Sequence, residues 1–434
     1  MRRLYSSASP RERRAARREP PHGAYRYTRR RWRVLFGVID FLGGAFAAAC
    51  RCLAPRPKVL SSDPKTILLV QLDHLGDAVM TTAILAPLRA RFPHARIDVL
   101  AAPWNREVFE LRSEIDRILV CDRNRFRRRG RAAWMIAIGS WGWRLRRESY
   151  DLGIDLRGEF PIALLLWLSG ASRRVGWKSG GGGFLLTDSV EYDYARHEVD
   201  SRFAILDRLG IDSHAEARLP KLECDEITRC MALERAGIAA GQSLVILHVG
   251  AGTPAKRWPV EHWRQLVSRL IESTNSLVAV VASAEEACLA DDVCAGFAPA
   301  RAKNLAGRLS LAELVGLLSA SDLMIGGDSG PAHVAAAAGA VVTTIFSGTN
   351  DASRWRPMGR NVEVVRADVA CSPCHRALCA WRDHACMRRV TPHAVMAAAR
   401  RSRPELFIVD SDESASEATN GGAGVELLTL DHER

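Results

Sequence analysis

A chain of 434 residues is too long for one ordinary hydrophobic core, and two domains are the expectation. With 47% hydrophobic and 25% charged residues it reads as a soluble globular protein, neither disordered nor fibrous. The net charge of +12 is unevenly spread: residues 1–33 hold twelve Arg against Glu12 and Glu19, and the segment from Glu405 onward holds eight acids against Arg434. The stretch between keeps a moderate positive excess that suits a phosphate-bearing substrate. No basic stripe interleaved with aromatics is present, so no nucleic-acid partner is expected. Eleven cysteines, seven of them scattered singly, fit a reducing cytoplasmic compartment better than a secreted disulfide framework.

Residues 1–33, rich in Arg, Pro and Ser, are expected to form a basic tail without stable structure. Val34 to Cys50 carries a single charge, Asp40, over a length short of the ~20 apolar residues a spanning helix needs. Leu35, Val38, Ile39, Leu42 and Phe46 recur at helical spacing, with Gly37, Asp40 and Gly44 opposite and Arg on both flanks. The reading over 34–57 is an interfacial helix on an anionic inner leaflet. A signal peptide and a buried or disordered extension are the alternatives, and Asp40 inside the apolar run counts against the first.

From Thr66 the pattern changes to buried strands (67–72, 96–101, 152–156) and an amphipathic helix (81–92), which implies a parallel sheet covered on both faces within a domain over 65–218. The six Arg of 123–131 suggest a solvated, mobile loop, and Gly180 to Gly183 a flexible stretch. Periodicity weakens over 213–225, where a linker is placed. A second domain over 225–404 repeats the theme, with strands at 244–249, 277–282, 323–325 and 341–346. A helix over 259–273 and another opened by the capping box Ser310 to Glu313 lie among them. Residues 405–434 are expected to be an acidic tail without structure.

Three segments carry chemistry. Gly326-Gly327-Asp328-Ser329-Gly330-Pro331-Ala332-His333 joins a strand to a helix. Asp328 or Ser329 can cap that helix, and the glycines let an anion such as a diphosphate approach free backbone N–H groups. His248 to Pro259 presents Gly250, Gly252, Thr253, Lys256 and Arg257 after another strand. It superficially fits a dinucleotide fingerprint, but Lys-Arg-Trp-Pro intervenes before the helix and the later acid is missing, so a phosphate-binding lysine on a loop is preferred. Asp73-His74-Leu75-Gly76-Asp77 follows the first strand, at the sheet edge where open α/β folds bind ligands. A fourth cluster, Cys371, Cys374, Cys379 and Cys386 with His375 and His384 nearby, has spacing compatible with a structural zinc knuckle. A reduced packing cluster or a labile disulfide accounts for it equally.

Together the Leu-Gly-Asp turn, Asp155-Leu156-Arg157-Gly158, Gly250 to Pro259, Asn304-Leu305-Ala306-Gly307 and Gly327 to His333 resemble glycosyltransferase family 9, the lipopolysaccharide heptosyltransferases, over about 65–400. The resemblance implies an α/β GT-B fold, two Rossmann-like domains facing each other across a cleft, with acceptor bound by the N-terminal and sugar nucleotide by the C-terminal half. It implies an inverting transfer, without a cofactor, of a heptose from ADP-heptose to a lipopolysaccharide-core or other glycolipid acceptor at the cytoplasmic face of the inner membrane. Carried over by position, Asp77 matches the general base and Lys256 the lysine on the donor diphosphate. Gly250, Thr253, Asp328, Ser329, Gly330 and His333 match the donor site, Glu285 or Glu286 the ribose acid, and His74, Gly76 and Arg157 the acceptor side. The chain departs from the family in having Ala83 where a Pro is common and in its 64 residues before the first strand. A transferase of a different nucleotide sugar and a non-catalytic nucleotide-sugar-binding scaffold are the competing readings.

Overall fold

The computed structural model describes residues 25, 30–53, 63–128, 130–212, 218–408 and 425–428. Most of the basic tail expected over 1–33 and of the acidic tail expected over 405–434 lies outside the described residues. The chain divides into two compact units, meeting between Pro220 and Lys221. Each is a Rossmann-like α/β domain.

The N-terminal unit holds strands β1 (Thr66–Gln71), β2 (Arg96–Ala101), β3 (Arg117–Val120), β4 (Leu152–Asp155), β5 (Arg173–Trp177) and β6 (Asp188–Val190). They form one parallel sheet in the order β3-β2-β1-β4-β5-β6. The direction of the sheet's spread reverses between β1 and β4, a switch point of the doubly wound kind. The run Ile67–Leu72 is apolar because both faces of β1 are covered, and its side chains are essentially inaccessible.

Where a single helix is expected over 81–92, there are two, Leu75–Thr81 and Leu85–Arg91, separated by a 3-10 turn at Thr82–Ile84. Pro87 explains the break, since it has no N–H to give the carbonyl of Ala83. Two further expectations are corrected. The Arg-rich segment expected to be a loop is helical over Arg123–Arg128, and Arg123 is buried. Gly180 to Gly183 is not flexible. Gly180 ends one 3-10 turn, Gly183 begins the next, and Gly181 and Gly182 join them; Gly180, Gly181 and Gly182 are buried, and a Cβ on Gly180 would fall 1.8 Å from the Gly158 carbonyl oxygen. These glycines serve close backbone approach.

The C-terminal unit repeats the plan with β7 (Leu244–His248), β8 (Leu277–Val281), β9 (Ala302–Asn304), β10 (Leu323–Gly327), β11 (Val342–Phe346) and β12 (Val362–Ala367). Their order, β9-β8-β7-β10-β11-β12, matches that of the first sheet, and β13 (Val425–Leu428) adds an antiparallel edge beside β12. The helix Val260–Ser273 lays Trp263, Leu266, Val267 and Leu270 into the core under this sheet. The helix Leu311–Ser319 starts at the expected capping box, with the Ser310 Oγ accepting from Glu313 N–H and the Glu313 carboxylate accepting from Ser310 N–H.

Candidate active site

Each unit gathers its candidate residues at the carboxyl ends of its own central strands. In the N-terminal unit the chain leaves β1 and turns at Asp73. The Asn105 side chain fixes the turn by donating to the carbonyls of Gln71 (3.2 Å) and Asp73 (2.9 Å). Gly76 and Asp77 then fall in the first turn of Leu75–Thr81, while His74 precedes it, exposed, with no side-chain cap. The Asp77 carboxylate accepts from the backbone N–H of His74, the cap residue of its own helix, and its Oδ1 lies 3.4 Å from the guanidinium of Arg202, a residue of the helix Glu198–Arg208. Arg202 is itself 2% exposed, and it donates to the Glu198 carbonyl at 2.7 Å, to Thr81 Oγ1 at 3.1 Å and to the Asp77 carbonyl at 3.3 Å. Burial holds the Asp77 carboxyl above the ordinary carboxylate range; Arg202 pulls it partly back, and Glu198 pushes it up again. A carboxylate raised in this way is a better proton acceptor near neutral pH.

Arg157 reaches the same edge from β4. Asp155, fully buried, accepts from the backbone N–H of Arg157 (2.8 Å) and Gly158 (2.9 Å) and so folds the turn that presents the guanidinium. The Arg157 side chain pairs with Asp73 and with Glu159 (2.8 Å), and Arg123 lies 3.7 Å from Asp73 and 3.6 Å from Glu159. Two arginines and two carboxylates thus surround the turn after β1.

In the C-terminal unit Lys256 sits in a 3-10 turn, Pro254–Lys256, well before the helix starting at Val260. Its Nζ lies 2.9 Å from Asp328 Oδ2 and donates to the Asp328 carbonyl at 3.2 Å. Asp328 is buried and also accepts from Ser347 (3.3 Å) and Asn350 (3.4 Å); burial raises its carboxyl and Lys256 opposes the rise. Asp328 is therefore not the helix cap. Ser329 occupies the cap position of Gly330–Ala337 but does not cap with its side chain, which sits 3.2 Å from His248 Nδ1 instead. No side chain caps the start of that helix, and Lys256 is bonded to Asp328 just before it, an arrangement suited to an anion. His333 is buried in the same helix. His248 is held neutral, because burial pushes its imidazole down to about 4.

Glu286 closes onto the glycine loop: its Oε1 accepts from Ala251 N–H at 3.0 Å, and a Cβ on Gly250 would fall 2.1 Å from its other oxygen. Glu285 is exposed. Thr253 precedes the Lys256 turn, and its carbonyl accepts from Lys256 N–H at 3.0 Å.

The four cysteines line one small cavity together with His384. Among the described residues, however, no three or more His, Cys, Asp or Glu side chains are disposed to hold a metal ion. Burial pushes the Cys371 and Cys386 thiols up, so they stay protonated at neutral pH. The segment carrying them braces the Lys256 turn and the loop after β11. The Ala377 carbonyl accepts from Ala255 N–H, His384 Nε2 lies 2.9 Å from the Ala255 carbonyl, and Cys374 and His375 donate to the Gly348 and Thr349 carbonyls.

Sequence reading missed Arg202, Glu198 and His248. Only the spacing of Glu198 and Arg202, one helical turn apart, hinted at a pair.

Two doubly wound domains, one with a half-buried carboxylate and the other with a lysine beside a helix start that no side chain caps, are the architecture of the two-Rossmann-domain, GT-B class of glycosyltransferases. The family model described as glycosyltransferase family 9 (heptosyltransferase) matches residues 138–384, more than half of the chain, and the protein belongs to that family. Among its relatives, lipopolysaccharide heptosyltransferase 2 of Escherichia coli (strain K12) is 26% identical over 344 residues, covering 76% of this chain and 96% of the relative. Lipopolysaccharide heptosyltransferase 1 of Pseudomonas aeruginosa is 26% identical over 332 residues, covering 73% and 88%. The same fold is seen in a family 9 glycosyltransferase from Veillonella parvula (TM-score 0.68, 21% identity, 81% of this chain and 100% of that one). It is seen again in the E. coli heptosyltransferase WaaC with ADP (TM-score 0.62, 20% identity, 78% and 99%).

Proposed function

We propose that this protein transfers a heptose, with inversion, from ADP-heptose to a lipopolysaccharide-core or other glycolipid acceptor in the cytoplasm. The observation that carries the reading is Lys256 beside the uncapped helix start at Ser329 and Gly330, in a chain whose relatives are lipopolysaccharide heptosyltransferases. As the bond from the anomeric carbon to the diphosphate breaks, negative charge grows on the leaving oxygen. Lys256, turning from Asp328 toward the diphosphate, and the N–H of Gly330 meet that charge without a metal. Glu286 is assigned to the donor ribose: it lies on the ligand edge beside Gly250, whereas Glu285 points to solvent. On the acceptor side Asp77 takes the proton of the attacking hydroxyl, and Arg202 is a positioning residue that holds the carboxylate. Arg157, with His74 and Gly76 beside the same turn, binds the acceptor's polar groups. The cysteine segment is assigned a packing role behind the Lys256 turn rather than a zinc site.

The test joins binding to turnover. ADP-heptose should raise the melting temperature more than UDP- or GDP-sugars do, since a ligand of the native state stabilises it. With that donor, Asp77→Asn should bind normally and transfer about 10²–10⁴-fold more slowly in single turnover. Stabilisation by a different nucleotide sugar alone would reassign the donor. Donor binding without transfer by the wild-type chain would make it a scaffold. A near wild-type rate for Asp77→Asn would remove Asp77 as the base.

A further inference from the structure

The helix Arg30–Leu53 precedes the first strand of the N-terminal domain and has two unlike faces. One is fixed to the domain. Asp40 Oδ1 accepts from Gly182 N–H at 2.7 Å, and its Oδ2 accepts from the Tyr25 hydroxyl at 2.8 Å. The Phe36 ring packs 5.8 Å from that of Phe160, and a Cβ on Gly43 would meet the Phe184 ring at 2.4 Å. The other face carries Val34, Val38, Phe41, Leu42 and Phe46 into solvent, with Phe41 76% and Phe46 72% exposed. Ile39, expected on that face, is half-buried at its margin.

The apolar face is long and rimmed by charge of one sign. Arg30, Arg31 and Arg33 stand at its start, and residues 1–33 together hold twelve Arg against two Glu. A second copy of the chain would bring two such basic segments together, whereas an anionic lipid surface complements them. By length and composition the helix could cross a membrane, but its attachment argues for the surface: Phe36, Asp40 and Gly43, in the middle of the apolar run, are bonded to or packed against a polar-surfaced domain that would have to follow them into hydrocarbon.

We propose that this helix lies flat on an anionic lipid bilayer, its outer face among the acyl chains and its inner face clamped to the turns at Gly180–Phe184. Those turns back directly onto the Asp155–Gly158 loop, because Gly180 rests against the Gly158 carbonyl. The edge that presents Arg157 is thereby held close to the lipid surface. The orientation of the helix stands whether or not the acceptor is a glycolipid.

The test is flotation of the full-length chain with vesicles of phosphatidylcholine alone or with added phosphatidylglycerol, beside the Phe41→Asp/Phe46→Asp double variant. Both substituted positions are exposed, and an unchanged melting temperature will show that the variant is folded. The wild type should float with the anionic vesicles, float less at high salt, and be released by an alkaline carbonate wash. The variant should lose at least about tenfold in binding. Wild-type protein that stays unbound with anionic vesicles would overturn the proposal. So would protein that survives the carbonate wash and needs detergent, the behaviour of a spanning helix. A dimer abolished by the double variant, without vesicle binding, would assign the face to a second copy instead.

Discussion

His248 ends β7 inside the core of the C-terminal unit, 6% exposed, with Nδ1 3.2 Å from Ser329 Oγ. An unfolded chain protonates its histidine near pH 6.5, while the folded imidazole stays neutral down to about 4 because burial disfavours the cation. The folded value is depressed, so stability is lost as pH falls below 6.5, when the unfolded chain takes up a proton that the folded one refuses. At 1.36 kcal/mol per pH unit, about 2.5 kcal/mol should disappear between pH 7 and 4.5 through this one group. His248→Asn keeps an amide near the Nδ1 position but cannot titrate. Losing the ring costs the variant the same at both pH values, so the difference between the two proteins isolates the proton. Urea titrations read by hydrogen exchange on peptides spanning β7 and β8 would follow this domain alone. The stability gap between wild type and variant should narrow by about 2.5 kcal/mol on going from pH 7 to 4.5. An equal gap at the two pH values would show that the folded imidazole titrates normally and that the burial argument fails.

Arg202→Gln should leave Asp77 and Glu198 without their shared cation and destabilise the N-terminal domain by roughly 3–5 kcal/mol. Because Arg202 lowers the Asp77 carboxyl, the acid limb of the transfer rate should also move to higher pH in this variant. Lys256→Ala should weaken binding of the nucleoside diphosphate, measured by calorimetry, and slow single turnover as well, since its charge would meet both ground state and leaving group; unchanged binding would place the diphosphate elsewhere. For the cysteines, elemental analysis of purified protein should find well below one equivalent of metal per chain, and chelator should leave the melting temperature unchanged. About one equivalent of zinc with a chelator-sensitive melt would restore the knuckle.

Much of the architecture was legible because buried parallel strands write themselves as unbroken apolar runs, as at 67–72 and 244–249. The Ser310–Glu313 box is equally local. What was illegible depends on contacts between distant segments. Gly180 to Gly183 looked like slack, since a glycine run reads the same whether the backbone is loose or pressed against the Gly158 carbonyl. The Arg-rich stretch looked solvated, yet Arg123 turns inward to meet Asp73 and Glu159, which belong to other strand ends. Asp328 looked like a cap, and its actual partner, Lys256, lies 72 residues earlier.

The pairing of Asp77 with Arg202 across 125 residues also bears on how the enzyme comes into being. During synthesis Asp77 leaves the ribosome with the first strand, while Arg202 arrives with the last helix of its domain. Until Glu198–Arg208 docks, Asp77 lacks the neighbours Arg202 and Glu198. The closing of this long loop is the slow, entropically costly contact, so it should come late. A nascent chain stopped after β5 could already pair five strands in parallel and still lack the guanidinium that holds the Asp77 carboxylate. Transfer activity would therefore mark the last step of this domain's assembly, and a cut in the stretch before Glu198 should silence the enzyme while leaving its sheet in place.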